Sequence, residues 1–272
     1  MEIHAELVTR ARSGERRALD ELVRATKDLV YNLALRMLGT PADAEDATQE
    51  ILLKIVTGLG SFRGDSAFRT WAYRVAANHL LTTRKRGAEL RAESFEQLGE
   101  MLGHNLAAGD PAADDQLLVR EAKLICTATM LACLDRDHRL AYILGEIFEL
   151  ASDDGAAILD ISPDAFRKRL SRARDRMTEF MGRQCGLVHA ANVCRCAKQA
   201  GHAVAAGYLD PKRLAWGSQA CQPERKPERV ADLDTVARAI EVFRSTPAFV
   251  APESLVSEVK RALDAGASDL LR

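Results

Sequence analysis

The sequence predicts an all-α protein: two small helical domains joined by a linker, followed by a C-terminal helical extension. Composition points there first, because only 5% of the 272 residues are aromatic while Ala, Leu, Arg, Glu and Asp dominate, a balance that favours helix over sheet. Apolar residues then recur at three- and four-residue spacing through most of the chain. A 47% apolar content is enough for real cores, and the length suggests about two domains. The net charge of −1 gives no bulk attraction to nucleic acid, so any DNA contact has to come from local basic patches. No run of about 18 apolar residues and no basic-then-apolar leader is present, so the expectation is a cytoplasmic protein without a membrane partner.

Residues 1–86 read as the first helical domain. Leu7, Val8 and Ala11 mark one amphipathic helix, and after Ser13-Gly14 a second carries Leu19, Leu22, Val23, Leu29, Val30 and Leu33. Thr40, Pro41 and Asp43 then form a helix start, with a hydroxyl cap, a first-turn proline and a carboxylate at the positive helix end. In that helix Ala44, Ala47, Ile51, Ile55 and Leu59 make a buried stripe, while Asp43, Asp46, Glu50 and Lys54 share the polar face with Leu53 among them. Gly60 to Asp65 breaks the pattern with a loop carrying Phe62 and Arg63. The next stripe is Phe68, Trp71, Ala72, Val75 and His79, which puts Trp71 in the core. Arg69, Tyr73, Arg74 and Asn78 fall off the stripe, where aromatic, amide and guanidinium groups can stack on unpaired bases and bond their edges. Arg84, Lys85 and Arg86 supply charge for phosphates.

Residues 87–115 are acidic, hold four glycines and one proline, and read as a linker, with Phe95, Leu98, Met101 and Leu102 able to form a short docking helix. Residues 116–182 read as the second helical domain. Its strongest feature is SDDGAAILDISPDAFRKRLSRARDRM, a short helix, a turn at Asp160-Ile161, and a second helix opened by Ser162 and Pro163. Phe166, Leu170, Ala173 and Met177 face the core of this helix-turn-helix, and Arg167, Lys168, Arg169, Arg172, Arg174 and Arg176 surround them against only Asp164 and Asp175.

Residues 183–272 form the extension. It starts with CGLVHAANVCRCAKQAGH, where Cys185, His189, Cys194 and Cys196 are candidate zinc ligands, although the Cys-x-Cys pair is tighter than usual structural-zinc spacing; redox thiols and plain packing are the competing readings. Two further amphipathic helices, Val230 to Phe243 and Glu253 to Leu263, are separated by Pro247 and Pro252.

The run DAEDATQEILLKI followed by SFRGDSAFRTWAYRVAANHL resembles the second conserved region of bacterial sigma factors of the extracytoplasmic-function group. That resemblance implies that Asp43, Asp46, Gln49, Glu50 and Leu53 dock on core RNA polymerase. It also implies that Phe62, Arg63, Arg69, Tyr73, Arg74, Asn78, Arg84, Lys85 and Arg86 touch promoter DNA, including the melted single strand. SPDAFRKRLSRARDRM resembles the fourth conserved region of the same family, which implies that Ser162, Arg167, Lys168, Arg169, Arg172 and Arg174 read the duplex upstream element. LDRDHR replaces the usual leucine-proline start, and ELASDDGAAILD is a diverged first helix of the motif. The implied function is promoter recognition and opening by a protein that is not itself an enzyme. It would need no cofactor beyond the zinc that the extension could hold, and an anti-sigma regulator is a further implied partner. The alternatives are a stand-alone helix-turn-helix regulator, which leaves the Asp43 to Lys54 face unexplained, and a thiol- or zinc-dependent activity in the extension, which lacks a general base.

Overall fold

The computed structural model describes residues 5–83, 94–107, 113–217 and 234–265. Among these residues there are twelve α-helices and no strand beyond an isolated Cys185–Cys194 bridge. None of these helices is long and apolar enough to cross a membrane.

In the first part α1 (Ala5–Arg12), α2 (Arg16–Leu38), α3 (Pro41–Thr57) and α4 (Phe68–Thr82) bury the expected stripes, with Tyr31, Leu33, Leu35, Ile51, Ile55, Ala72 and Leu80 at or near zero exposure. Gly39 ends α2 in the left-handed region (φ 76°), where its N–H reaches Leu35 O, and the very next residue starts α3. Thr40 Oγ1 accepts from the Asp43 N–H at 3.3 Å and donates to Asp43 Oδ2 at 2.6 Å, so the cap predicted from Thr40-Pro41 is present.

The next parts are α5 (Phe95–Ala107), α6 (Gln116–Ala132), α7 (Arg136–Tyr142), α8 (Ser152–Leu159) and α9 (Pro163–Gln184). The expected linker does dock, since Phe95 stacks on Phe180 of α9 at 5.1 Å. After Tyr142, α7 loosens into a π turn at Ile143–Ile147 before the chain bends at Glu149 (φ 55°). The helix-turn-helix forms as predicted. Asp160 makes the turn at φ 53°, and Ser162 Oγ accepts from the Ala165 N–H at 3.2 Å. Gly155 lets the two helices cross closely, because a Cβ there would lie 2.3 Å from Phe166 Cζ.

The extension adds α10 (Cys196–Ala205), α11 (Thr235–Arg244) and α12 (Ser254–Asp264). Residues 206–217 are turns and irregular chain, fixed where buried Glu121 of α6 accepts from the Trp216 and Gly217 N–H groups at 2.9 and 2.6 Å. One apolar cluster runs from Val8 to Val259, with Phe243 of the extension packed on Tyr142 and with Val256 and Val259 buried where α12 meets α2 and α3.

Candidate nucleic-acid and polymerase interface

The α3 face is built as expected. Asp46 and Glu50 are exposed, whereas Asp43, Gln49 and Leu53 are half-buried, Leu53 with its side chain packed on the core. Glu50 lies 3.6 Å from the buried His79 ring, whose Nδ1 meets Lys54 Nζ at 2.8 Å. The acidic groups thus stand on a rigid helix whose opposite side is fully packed, which is what a docking face requires.

The recognition helix α9 divides its cations into two sets. Arg167, Lys168 and Arg172 are exposed, Arg167 pairing only with the neighbouring exposed Asp164. Arg174 and Arg169 are committed inward. Arg174 forks onto the buried Glu146 carboxylate, and Arg169 reaches Asp137 at 2.7 Å. The resemblance puts Arg174 among the DNA contacts, but Glu146, arriving from the π turn, claims its guanidinium. Ser162 serves as the cap, which leaves Arg167, Lys168 and Arg172 as the free surface.

The loop and α4 depart most from expectation. Phe62 is half-buried in an aromatic triad with Phe68 and Trp71, each pair 5.6 Å apart, so Trp71 packs as predicted and takes Phe62 with it. Arg63, Arg69 and Asn78 are exposed, and the Arg69 guanidinium lies over the Tyr73 ring at 5.5 Å. Tyr73, expected to meet solvent or a ligand, is only 4% exposed because Phe148 of the helix-turn-helix half packs on it at 5.8 Å. Burial pushes its phenol pKa up. Arg74 is spent as well: its Nε and Nη2 both donate to Ala157 O of α8, at 3.0 and 2.6 Å. Arg84, Lys85 and Arg86 lie outside the described residues.

The cysteine loop is also rearranged. Asn192 Nδ2 donates to Gly182 O and Cys185 O, and Arg195 donates to Ala190 O, Asn192 O and Cys194 O, so the loop is tied by its own main chain. Cys185, Cys194 and Cys196 line a cavity of about 40 Å³ together with Cys126 of α6. His189 is exposed, with Nε2 3.5 Å from Thr235 Oγ1, and so stands apart from the set proposed for zinc. Among the described residues no group of three or more His, Cys, Asp or Glu is placed to hold a metal ion. Burial raises the pKa of the Cys126 thiol well above its ordinary value and that of Cys196 to about 11, which keeps these two sulfurs protonated and poor nucleophiles. Cys126 was not legible as a member of this group, because one cysteine in an amphipathic helix carries no spacing signal.

Comparison with known proteins places these surfaces in a family. The sigma-70 region 2 profile matches residues 22–89, which contain α3, the loop and α4. RNA polymerase sigma-H factor of Pseudomonas aeruginosa is 31% identical over 182 residues, covering 65% of this chain and 92% of that protein. ECF RNA polymerase sigma-E factor of Escherichia coli is 32% identical over 178 residues, covering 62% of this chain and 89% of that protein. The solved structure of CnrH in complex with the cytosolic domain of CnrY aligns with a TM-score of 0.46 and 24% identity, over 65% of this chain and 95% of that one. With a capped helix-turn-helix following a matched region 2, and with relatives covered almost end to end, the chain belongs to the RNA polymerase sigma factors of the ECF group.

Proposed function

We propose that the protein binds core RNA polymerase through the exposed acidic face of α3 and directs it to a two-part promoter. Arg167, Lys168 and Arg172 read the duplex upstream element. The loop and α4, with Arg63, Arg69 and Asn78 already exposed, receive the melted strand. The carrying observation is the pairing of two surfaces on one chain: carboxylates at Asp46 and Glu50 suited to a protein partner, and three exposed cations on a capped second helix suited to the major groove. A stand-alone regulator has use for the second surface and none for the first. The role is non-catalytic and needs no cofactor, polymerisation belonging to the polymerase, and it is exercised in the cytoplasm. Reconstitution with core polymerase tests the reading. Co-elution and promoter-specific transcripts are expected, and a protein that neither co-elutes nor directs transcripts would not be a sigma factor.

A further inference from the structure

We propose that residues 243–259 are a built-in clamp that holds the helix-turn-helix half over the α4 face, and that this clamp has to release before that face can take a melted strand. The inference rests on the sigma-factor reading above. While α8 sits on α4, the Tyr73 ring is under Phe148 and the Nε and Nη2 groups of Arg74 are both bonded to Ala157 O, so the ring and that edge of the guanidinium are withheld from a base.

The segment grips both halves at once. On the helix-turn-helix side, Phe243 packs edge-on against Tyr142 at 5.4 Å, and Arg244 Nε donates to Glu146 O at 2.7 Å while its Nη1 pairs with Glu149 at 3.1 Å. On the other side the chain runs extended along α2, and α2 side chains supply the hydrogen bonds that a neighbouring strand would. Asn32 Nδ2 donates to Phe249 O at 2.6 Å, and Asn32 Oδ1 accepts from the Phe249 N–H at 2.9 Å. Lys27 Nζ donates to Ala251 O at 2.9 Å, and Asp28 Oδ1 accepts from the Ala251 N–H at 2.8 Å. Four main-chain groups that would otherwise be stranded on burial are thereby satisfied. Glu253 closes the run with Arg24 at 2.6 Å and Lys27 at 3.2 Å, after which Leu255, Val256 and Val259 bury against the first domain.

The grip is specific yet releasable. Asn32 and Lys27 are buried at its centre, but the Arg24–Glu253 end is exposed, and an exposed ion pair contributes little, so a competing ligand for the α4 face can shift the balance. Asp46 and Glu50 stay exposed in the clamped form, so polymerase can bind first and melted DNA can drive the release.

The test uses the full chain with core polymerase and a promoter it transcribes. Arg24→Glu is expected to raise transcription about two- to fivefold by loosening the exposed end, and adding Glu253→Arg is expected to return it toward the starting level. Phe249→Asp, which removes the buried anchor, is expected to raise it by roughly tenfold. Polymerase retention serves as the fold control, and tryptophan emission reports release directly, because Trp216 stacks on Phe249 at 5.7 Å and should shift to the red as the clamp opens. Variants that retain polymerase but transcribe at the starting level would overturn the clamp alone. Absence of polymerase retention and of transcripts in the unmodified protein would remove the sigma-factor reading and the clamp with it.

Discussion

The outer face of α9 and the α4 face both carry cations, yet three of the α9 cations are exposed while Tyr73 and Arg74 of α4 are engaged by the other half of the molecule. On α9 the exposed Arg167, Lys168 and Arg172 need only give up local neighbours to reach a phosphate or a base. On α4 the buried Tyr73 and the bonded Arg74 have partners in the other half of the molecule. The difference teaches that a side chain suited to nucleic acid can be ready or withheld according to what packs against it. On the clamp proposal, duplex DNA can be met by the closed protein, while a melted strand needs the two halves to part.

The largest effect should come from the open surface. Replacing Arg167, Lys168 and Arg172 together with alanine should lower promoter affinity by well over tenfold, a base contact being worth about 1–3 kcal/mol, and should flatten the salt dependence by roughly one unit of slope per lost phosphate contact. Promoter binding titrated against salt measures both. An unchanged slope would move the DNA contact elsewhere.

Breaking the scaffold beneath that surface comes next. Gly155→Val puts a side chain where Phe166 Cζ would be 2.3 Å from its Cβ, so α8 and α9 must separate, at a cost of about 1–3 kcal/mol. Thermal unfolding should show the loss, and a variant of unchanged stability would mean that the crossing is looser than described. Reversing charge at Asp46 and Glu50 sharpens the contrast from the other side. Both are exposed, so circular dichroism should be unaltered while co-elution with core polymerase weakens. Retention at the original level would take α3 out of the polymerase contact.

A smaller effect follows from the buried thiols. Cys196 has its pKa raised from 9.0 to about 11, so the folded state favours the protonated thiol. Its contribution is therefore complete below pH 9 and is lost as pH rises toward 11, on the order of 2 kcal/mol for a raise of this size. The melting temperature should fall across that window, and Cys196→Ser should fall less steeply; parallel curves would place the thiol in solvent. Smallest of all is the effect of metal removal. Dialysis against a chelator should leave the melting temperature unchanged, since His189 stands apart from the thiols; a marked drop would restore the zinc reading for the loop.

Most helices were legible because their signals are local. Thr40-Pro41 and Ser162-Pro163 capped where the sequence placed them, and the stripes on α2, α3 and α9 went into the core. The exposure of Asp46 and Glu50 on α3 and of Arg167, Lys168 and Arg172 on α9 was legible for the same reason. What could not be read were contacts between distant segments. Nothing near Arg174 in the sequence shows that Glu146 will take it, and nothing near Tyr73 shows that Phe148 will cover it. Asn32 and Lys27 looked like ordinary polar residues of an amphipathic helix, and they are buried because the chain returns more than two hundred residues later to bond them. Periodicity tells which face of a helix is apolar. It does not tell which part of the chain will cover the remainder.

The most direct measurement of the central claim is the distance between the two halves in solution. Dyes attached through unnatural amino acids at the exposed positions Asp65, in the loop before α4, and Asp154, on α8, would report it by energy transfer. The account predicts high transfer in the free protein, little change on binding core polymerase alone, and a clear loss once promoter DNA is opened. Transfer that stays high in a transcribing complex would contradict it, because the α4 face would then be working with the helix-turn-helix half still in place.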